Sequence, residues 1–334
     1  MIVVGGGIVG CLTALNLAQR GCQATIVERN QIAAQASGES SWAGAGILFP
    51  LLPWMYKDEV NALALQGASL YPQICDALKR EMGIDPEYTQ SGMLIQPPFD
   101  KALAHAWCNN NQVDFEQVGE NVLLPNVAQL RPPHLLQALK QLLIQHNVTL
   151  LEHTQLEPIK QVEKINSWNT NTGTALRADA FVVTSGAWSF ELLKDTSAGL
   201  NIKPMRGQIL LYDLSHQSAS DLPTHIIYRD GFYLVPRRDG LLLAGSTLED
   251  VGFDPRTTED VKQQLKTKAE SMLPLLKDMP IHRHWSGLRP GTPDNLPTIA
   301  QHPTIGNLYL NTGHFRYGLT MAPASAERIA ELIL

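Results

Sequence analysis

The residues best suited to chemistry stand at the start of the chain. Gly5-x-Gly7-x-x-Gly10 follows the apolar run Met1 to Val4 and opens a helical stretch. Each glycine answers a separate need. Gly5 permits a tight turn, Gly7 lets the backbone approach a pyrophosphate, and Gly10 lets helix and strand pack closely. The helix N-terminus at Ile8 and Val9 offers free N–H groups and the positive end of its dipole to phosphates. After a second strand comes Glu28, at the spacing where a carboxylate accepts ribose hydroxyls. Its acidity disfavours a 2′-phosphate, although Arg29 stands beside it. The pattern serves NAD and FAD alike. No Ser/His/Asp or paired-carboxylate constellation stands out. Cys11, Cys22, Cys75 and Cys108 show neither CxxC nor His/Cys ligand spacing, so no metal is expected and they read as reduced, buried thiols.

These residues need elements to hold them. At 334 residues the chain suggests about two domains, and 44% hydrophobic with 17% charged residues describes a globular protein. A net charge of -6 gives no basic footprint for nucleic acid. The first apolar run stops at three glycines, so neither a signal peptide nor a membrane span is expected, and the protein reads as cytoplasmic. Strands are expected at Met1 to Val4, Gln23 to Val27, Met93 to Gln96, Val148 to Leu151, Ala180 to Val183 and Asn307 to Asn311. Helices are expected after Gly7 as far as Gly21, then at Val60 to Met82, Lys101 to Asn109, Pro132 to about His146, Thr258 to Leu273 and Ala322 to Leu334. Short alternating strands at Ile209 to Tyr212, Phe232 to Val235 and Leu241 to Ala244 suggest an antiparallel sheet. The Ala/Ser/Gly-rich segment from Ala33 to Gly46 is long for a compact domain, which marks it as functional.

The rest of the chain resembles a known group. Ser40-Ser41-Trp42-Ala43-Gly44-Ala45-Gly46-Ile47-Leu48 looks like the small-residue loop that runs along FAD in the D-amino-acid oxidase superfamily. Gly287-Leu288-Arg289-Pro290-Gly291-Thr292-Pro293-Asp294 with Pro297 is similar to a second signature of that group. Thr312-Gly313-His314-Phe315-Arg316-Tyr317-Gly318-Leu319 with Ala322-Pro323-Ala324 is similar to a third. With Gly231-Phe232-Tyr233-Leu234-Val235-Pro236-Arg237 they most resemble the glycine oxidase family, whose members serve thiamine thiazole synthesis. The motifs occur in the family's order along essentially the whole chain. The resemblance implies an α/β fold. A discontinuous Rossmann-like FAD-binding domain (1–83, 130–200 and 282–334) would carry an inserted antiparallel-sheet substrate domain (84–129 and 201–281). It implies FAD contacts at Gly5, Gly7, Ile8, Val9, Gly10, Glu28, Arg29, Ser40, Ser41, Ala45, Gly46, Ile47, Gly186, Gly313, His314, Arg316, Gly318 and Leu319. FAD is expected to be non-covalent, because no cysteine follows Cys108.

For the substrate, the resemblance puts Arg289, Tyr233 and Arg316 in catalytic positions, with Phe49, Ile47 and His314 in the pocket. A planar guanidinium gives a carboxylate two parallel hydrogen bonds, which suits Arg289 to an amino acid. A surface salt bridge is the alternative for Arg289, a core tyrosine for Tyr233, and FAD positioning alone for Arg316. The implied reaction is hydride transfer from the Cα of a neutral amine to flavin N5. Dioxygen then reoxidises the flavin to give hydrogen peroxide, with an imine or glyoxylate as the other product. Orientation and desolvation carry the catalysis, and His314 is read as part of a flavin-contacting turn rather than a base. Two departures stand out. Phe49 is bulkier than usual in the loop, and Gly231 replaces a polar residue of some relatives. If Phe49 faces the pocket it favours glycine, sarcosine or small D-amino acids. Alternatives are a D-amino-acid dehydrogenase with a quinone acceptor, or a flavin-binding module of tRNA modification. No membrane partner is expected, and homo-oligomerisation is left open.

Overall fold

The computed structural model describes residues 1–35, 38–218 and 222–334. Residues 36–37, within the expected segment from Ala33 to Gly46, and 219–221, within the expected substrate domain, lie outside the described residues. In chain order the strands of the two large sheets begin with β1 (Ile2–Val4), β2 (Thr25–Val27), β3 (Met93–Ile95), β4 (Glu116–Val118), β5 (Asn121–Leu124), β6 (Thr149–Leu151) and β7 (Phe181–Val183). They continue with β8 (Lys203–Asp213), β9 (Ile226–Arg229), β10 (Phe232–Pro236), β11 (Leu241–Gly245), β12 (Ile281–Gly291), β13 (Thr298–Gln301) and β14 (Leu308–Thr312). The longer helices are α1 (Ile8–Gln19), α2 (Asp58–Met82), α3 (Lys101–Asn110), α4 (Pro132–Gln145), α5 (Glu259–Met272) and α6 (Gly318–Ile333).

The smaller sheet has the order β13-β14-β7-β1-β2-β6 and is parallel except for the edge strand β13. Its central strands are short and apolar throughout, as burial on both faces demands. Helices α1, α2, α4 and α6 pack on one another around Leu17, Ile26, Tyr71, Leu78 and Leu135. The ends of α2 follow from local chemistry. Asp58 and Glu59 meet the positive helix end, Lys79 and Arg80 the negative end, and Gly83 closes the helix at φ +69°. The α/β class and its dinucleotide-binding half agree with the expectation.

The larger sheet has the order β12-β8-β11-β10-β9-β3-β5-β4 and is antiparallel except where β9 runs parallel to β3. Alternation sets its two faces. Phe232 and Leu234 join a core with Leu265 and Ala269 of α5, whereas Tyr233 and Val235 turn to the opposite side with Phe49 and Trp54.

Three expectations need correction. Strand β12 was read only as a Gly/Pro motif, yet it pairs with β8 from Lys203–Gly291 to Tyr212–Ile281. It is an edge strand, so the missing N–H of Pro290 is tolerated. Strand β8 is longer than the expected Ile209 to Tyr212. The last helix begins at Gly318, not Ala322. Pro323 lies inside it and leaves the Leu319 carbonyl without its helical donor, a defect of about 3 kcal/mol or more. The buried Tyr71 hydroxyl donates to that carbonyl at 2.6 Å and offsets part of the cost. Among the described residues no helix is long and apolar enough to cross a membrane.

Candidate active site

A cavity of about 300 Å³ lies between the two sheets. Its floor is the carboxyl ends of β1, β2, β7 and β14, where ligands collect in open α/β sheets. Every site residue named from the sequence lines it except Gly10 and Gly313. Those two act by shape. A Cβ on Gly10 would stand 1.9 Å from the Gly5 carbonyl oxygen, so any side chain there would push α1 off the turn. Gly313 holds a φ of +84° and packs on Thr292 and Ile202.

At one end, the Gly5 turn delivers the N-terminus of α1 to the cavity. Glu28 is held by two backbone donors, Gly6 N–H at 2.8 Å and Asn30 N–H at 2.9 Å. Ser41 Oγ accepts from Ile8 N–H at 3.0 Å and ties the small-residue loop to α1. Arg29 does not form an ion pair among the described residues. Its guanidinium carbon lies 3.7 Å from the ring centroid of Trp188, which stacks in turn on Phe253 at 5.5 Å. Burial lowers the Arg29 pKa, and Glu28 and Glu39 act against that shift. The glycine turn, the α1 N-terminus and the carboxylate of Glu28 could hold a pyrophosphate and a ribose.

At the other end stands Arg289 on β12. Its guanidinium donates to Ser246 Oγ at 2.8 Å and to the Thr247 carbonyl at 3.1 Å. Among the described residues no carboxylate pairs with it. Burial lowers its pKa, opposed by the neighbouring Tyr233. Tyr233 is buried on β10 and faces the same space. Arg316 is exposed at the rim, its guanidinium carbon 5.6 Å from the Phe315 ring centroid. Phe49 lines the cavity and is fixed edge-on against Trp107 at 6.4 Å. Nearby Trp54 is core, and Met55 is exposed. Gly231 lies outside the cavity, in the turn between β9 and β10, where its N–H donates to the Tyr228 hydroxyl at 3.0 Å. His314 is buried, and desolvation drives its pKa down to about 3, so at neutral pH it is an uncharged imidazole. The N-terminal turn of α6, at Gly318, Leu319 and Thr320, closes the wall and is tied to the small-residue loop by Thr320 Oγ1 donating to the Ile47 carbonyl at 3.1 Å.

Sequence reasoning missed Thr154, Gln155 and Leu156 beyond β6, Trp188 beyond β7, and Ser246 beyond β11. None belongs to a glycine pattern. Their common signal is position just past the carboxyl end of a strand, which is readable only once the strands are placed. None of the four cysteines lines the cavity.

Comparison with known proteins follows the same outline. The model of a family described as FAD dependent oxidoreductase matches residues 1–332. The chain is 37% identical over 351 aligned residues to a glycine oxidase of Pseudomonas putida, covering 100% of this chain and 94% of the relative. It is 31% identical to a bifunctional ThiO/ThiG protein of Trichormus variabilis, covering 100% of this chain and 52% of that longer relative. The crystal structure of glycine oxidase from Geobacillus kaustophilus superposes with a TM-score of 0.91 at 24% identity, over 99% of this chain and 93% of the other.

Proposed function

The chain belongs to the FAD-dependent oxidoreductase family whose model it matches, and from that membership we propose that it oxidatively deaminates glycine and other small amines such as sarcosine and small D-amino acids, in the service of thiamine thiazole synthesis. The observation that carries this reading is Arg289. It is a desolvated guanidinium on a cavity wall, bonded to neutral acceptors, with no carboxylate paired to it among the described residues. Guanidinium has five N–H donors, so those left over suit an incoming carboxylate.

The nucleotide end suits FAD, since a Cβ at Gly5 or Gly10 would collide with neighbouring backbone and the turn is left free for a pyrophosphate. Gly5, Gly7, Ile8, Val9, Glu28, Ser40, Ser41, Ala45 and Gly46 would hold it non-covalently. Bound FAD supplies the two-electron acceptor and returns its electrons to dioxygen, yielding hydrogen peroxide. The chain's own residues orient and desolvate the substrate. Arg289 takes the carboxylate in two hydrogen bonds and Tyr233 fixes its angle. Phe49, Ile47 and Leu51 form an apolar wall that excludes water and leaves room for a small side chain only. The N-terminus of α6 presents its positive end to the cavity and favours negative charge there. His314, uncharged at neutral pH because burial lowers its pKa, is a weak base there.

The test is an anaerobic absorbance scan of the purified holoprotein. Loss of the flavin bands on adding glycine, sarcosine or D-alanine supports the reading, and bands unmoved by all three reject it. Hydrogen peroxide formed in air with glycine identifies an oxidase. Turnover with a quinone or dye alone would replace that part by a dehydrogenase.

A further inference from the structure

Strand β8 runs beside β12 in the register Met205–Arg289, Arg206–Leu288 and Gly207–Gly287. Gly207 is buried, mid-strand and not in the left-handed region, so no turn requires glycine at this position. What requires it is the neighbouring side chain. A Cβ on Gly207 would stand 1.9 Å from Arg289 Nη1, 2.4 Å from Cζ and 2.5 Å from Nη2. The three nearest atoms are all of the guanidinium, and none belongs to backbone. The guanidinium therefore occupies the space of the missing side chain and rests on the strand, while Ser246 and Thr247 fix its edge.

We propose that Gly207 is a positioning residue for substrate binding: its bare backbone is the seat of Arg289 and sets the depth at which a small carboxylate is held. This rests on the reading of Arg289 as the carboxylate partner. The nearest atoms that a methyl at 207 meets are the far end of one flexible side chain rather than backbone, so the strand has no reason to break. The guanidinium has to leave its seat, and the Ser246 and Thr247 hydrogen bonds are lost or bent. A displacement of about 1 Å in a positioning group can cost on the order of 10²-fold in rate.

The experiment compares holoenzymes carrying Gly207→Ala, Arg289→Ala and both substitutions. The readouts are glycine kcat/KM, the affinity for acetate followed through the flavin spectrum, FAD content and Tm. Gly207→Ala is expected to lower kcat/KM on the order of 10²-fold and to weaken acetate binding, with FAD content and Tm as in the unmodified enzyme. In the Arg289→Ala background it is expected to add nothing, because the methyl then has no guanidinium to displace. A purely structural role would give additive losses, and that result overturns the proposal, as does unchanged acetate affinity in Gly207→Ala. If Gly207→Ala yields no folded protein, recovery of folded holoprotein in the double variant supports the proposal and continued misfolding overturns it. Acetate affinity unchanged in Arg289→Ala would instead remove the carboxylate reading itself.

Discussion

The two ends of the cavity present hydrogen-bond donors by different means. At the nucleotide end the donors are backbone N–H groups of one short stretch, Gly5 to Gly10, with Glu28 pinned by Gly6 and Asn30. At the substrate end the donor is one side chain, Arg289. Its supports come from Gly207 on β8, Tyr233 on β10 and Ser246 past β11. A turn followed by a helix makes an anion site from local geometry alone. A desolvated guanidinium needs hydrogen-bond partners to remain charged, and here a sheet brings them together from distant parts of the chain. Substitutions at the first end should therefore change cofactor retention, and those at the second should change catalysis.

Arg289→Ala is the largest test of that division. Losing one member of a buried charge pair costs about 2–5 kcal/mol, read here as a fall in kcat/KM for glycine with FAD content unchanged. Near-normal kcat/KM would reject the assignment, and loss of FAD would reject the division. Glu28→Ala is the counterpart. It strands two backbone donors at about 1–3 kcal/mol and is expected to weaken FAD retention on gel filtration, with the kcat of the loaded fraction preserved. Undiminished retention would mean that Glu28 does not hold the ribose.

The same contrast explains what could be read from the sequence. The nucleotide end was legible because Gly5, Gly7, Gly10 and Glu28 are close in the chain and each has a geometric reason. The half-buried setting of Arg289 and, among the described residues, its lack of an ion pair could not be read. Its strand hides behind glycine and proline, which count against a strand in any local reading, and its seat is a glycine 82 positions away, as the register Met205–Arg289 places it. The start of α6 was misplaced for a similar reason: a proline reads as a boundary until Tyr71, from another helix, is seen to answer the carbonyl it leaves free.

Between the two ends sits His314, which gives a smaller and pH-dependent effect. Its folded pKa of about 3 lies below its unfolded value near 6.5. Between those values the unfolded chain binds a proton that the folded chain does not, so stability falls as pH falls from about 6.5 to about 3. The slope contributed is about 1.4 kcal/mol per pH unit. His314→Gln should flatten it, measured as denaturant midpoints from neutral to acid pH. An unchanged slope would mean that the imidazole charges in the folded state.

The smallest effect probes a place where the two ends touch. Phe253 lies on the segment that leaves Ser246 and Thr247, at the substrate end, yet stacks on Trp188 at the nucleotide end. An aromatic pair of this kind is worth about 0.5–1.5 kcal/mol, and Phe253 is 39% exposed. Between Thr247 and Phe253 the segment is anchored by Glu249, whose carboxylate pairs with the buried Arg206 at 2.6 Å. That anchor should stop a change at Phe253 from reaching Arg289. Phe253→Ala is therefore expected to speed FAD release a few-fold, followed by flavin fluorescence after dilution, with the glycine KM unmoved. A KM that shifts as much as the release rate would show that the ion pair does not insulate the ends, and that cofactor and substrate are held by one coupled segment.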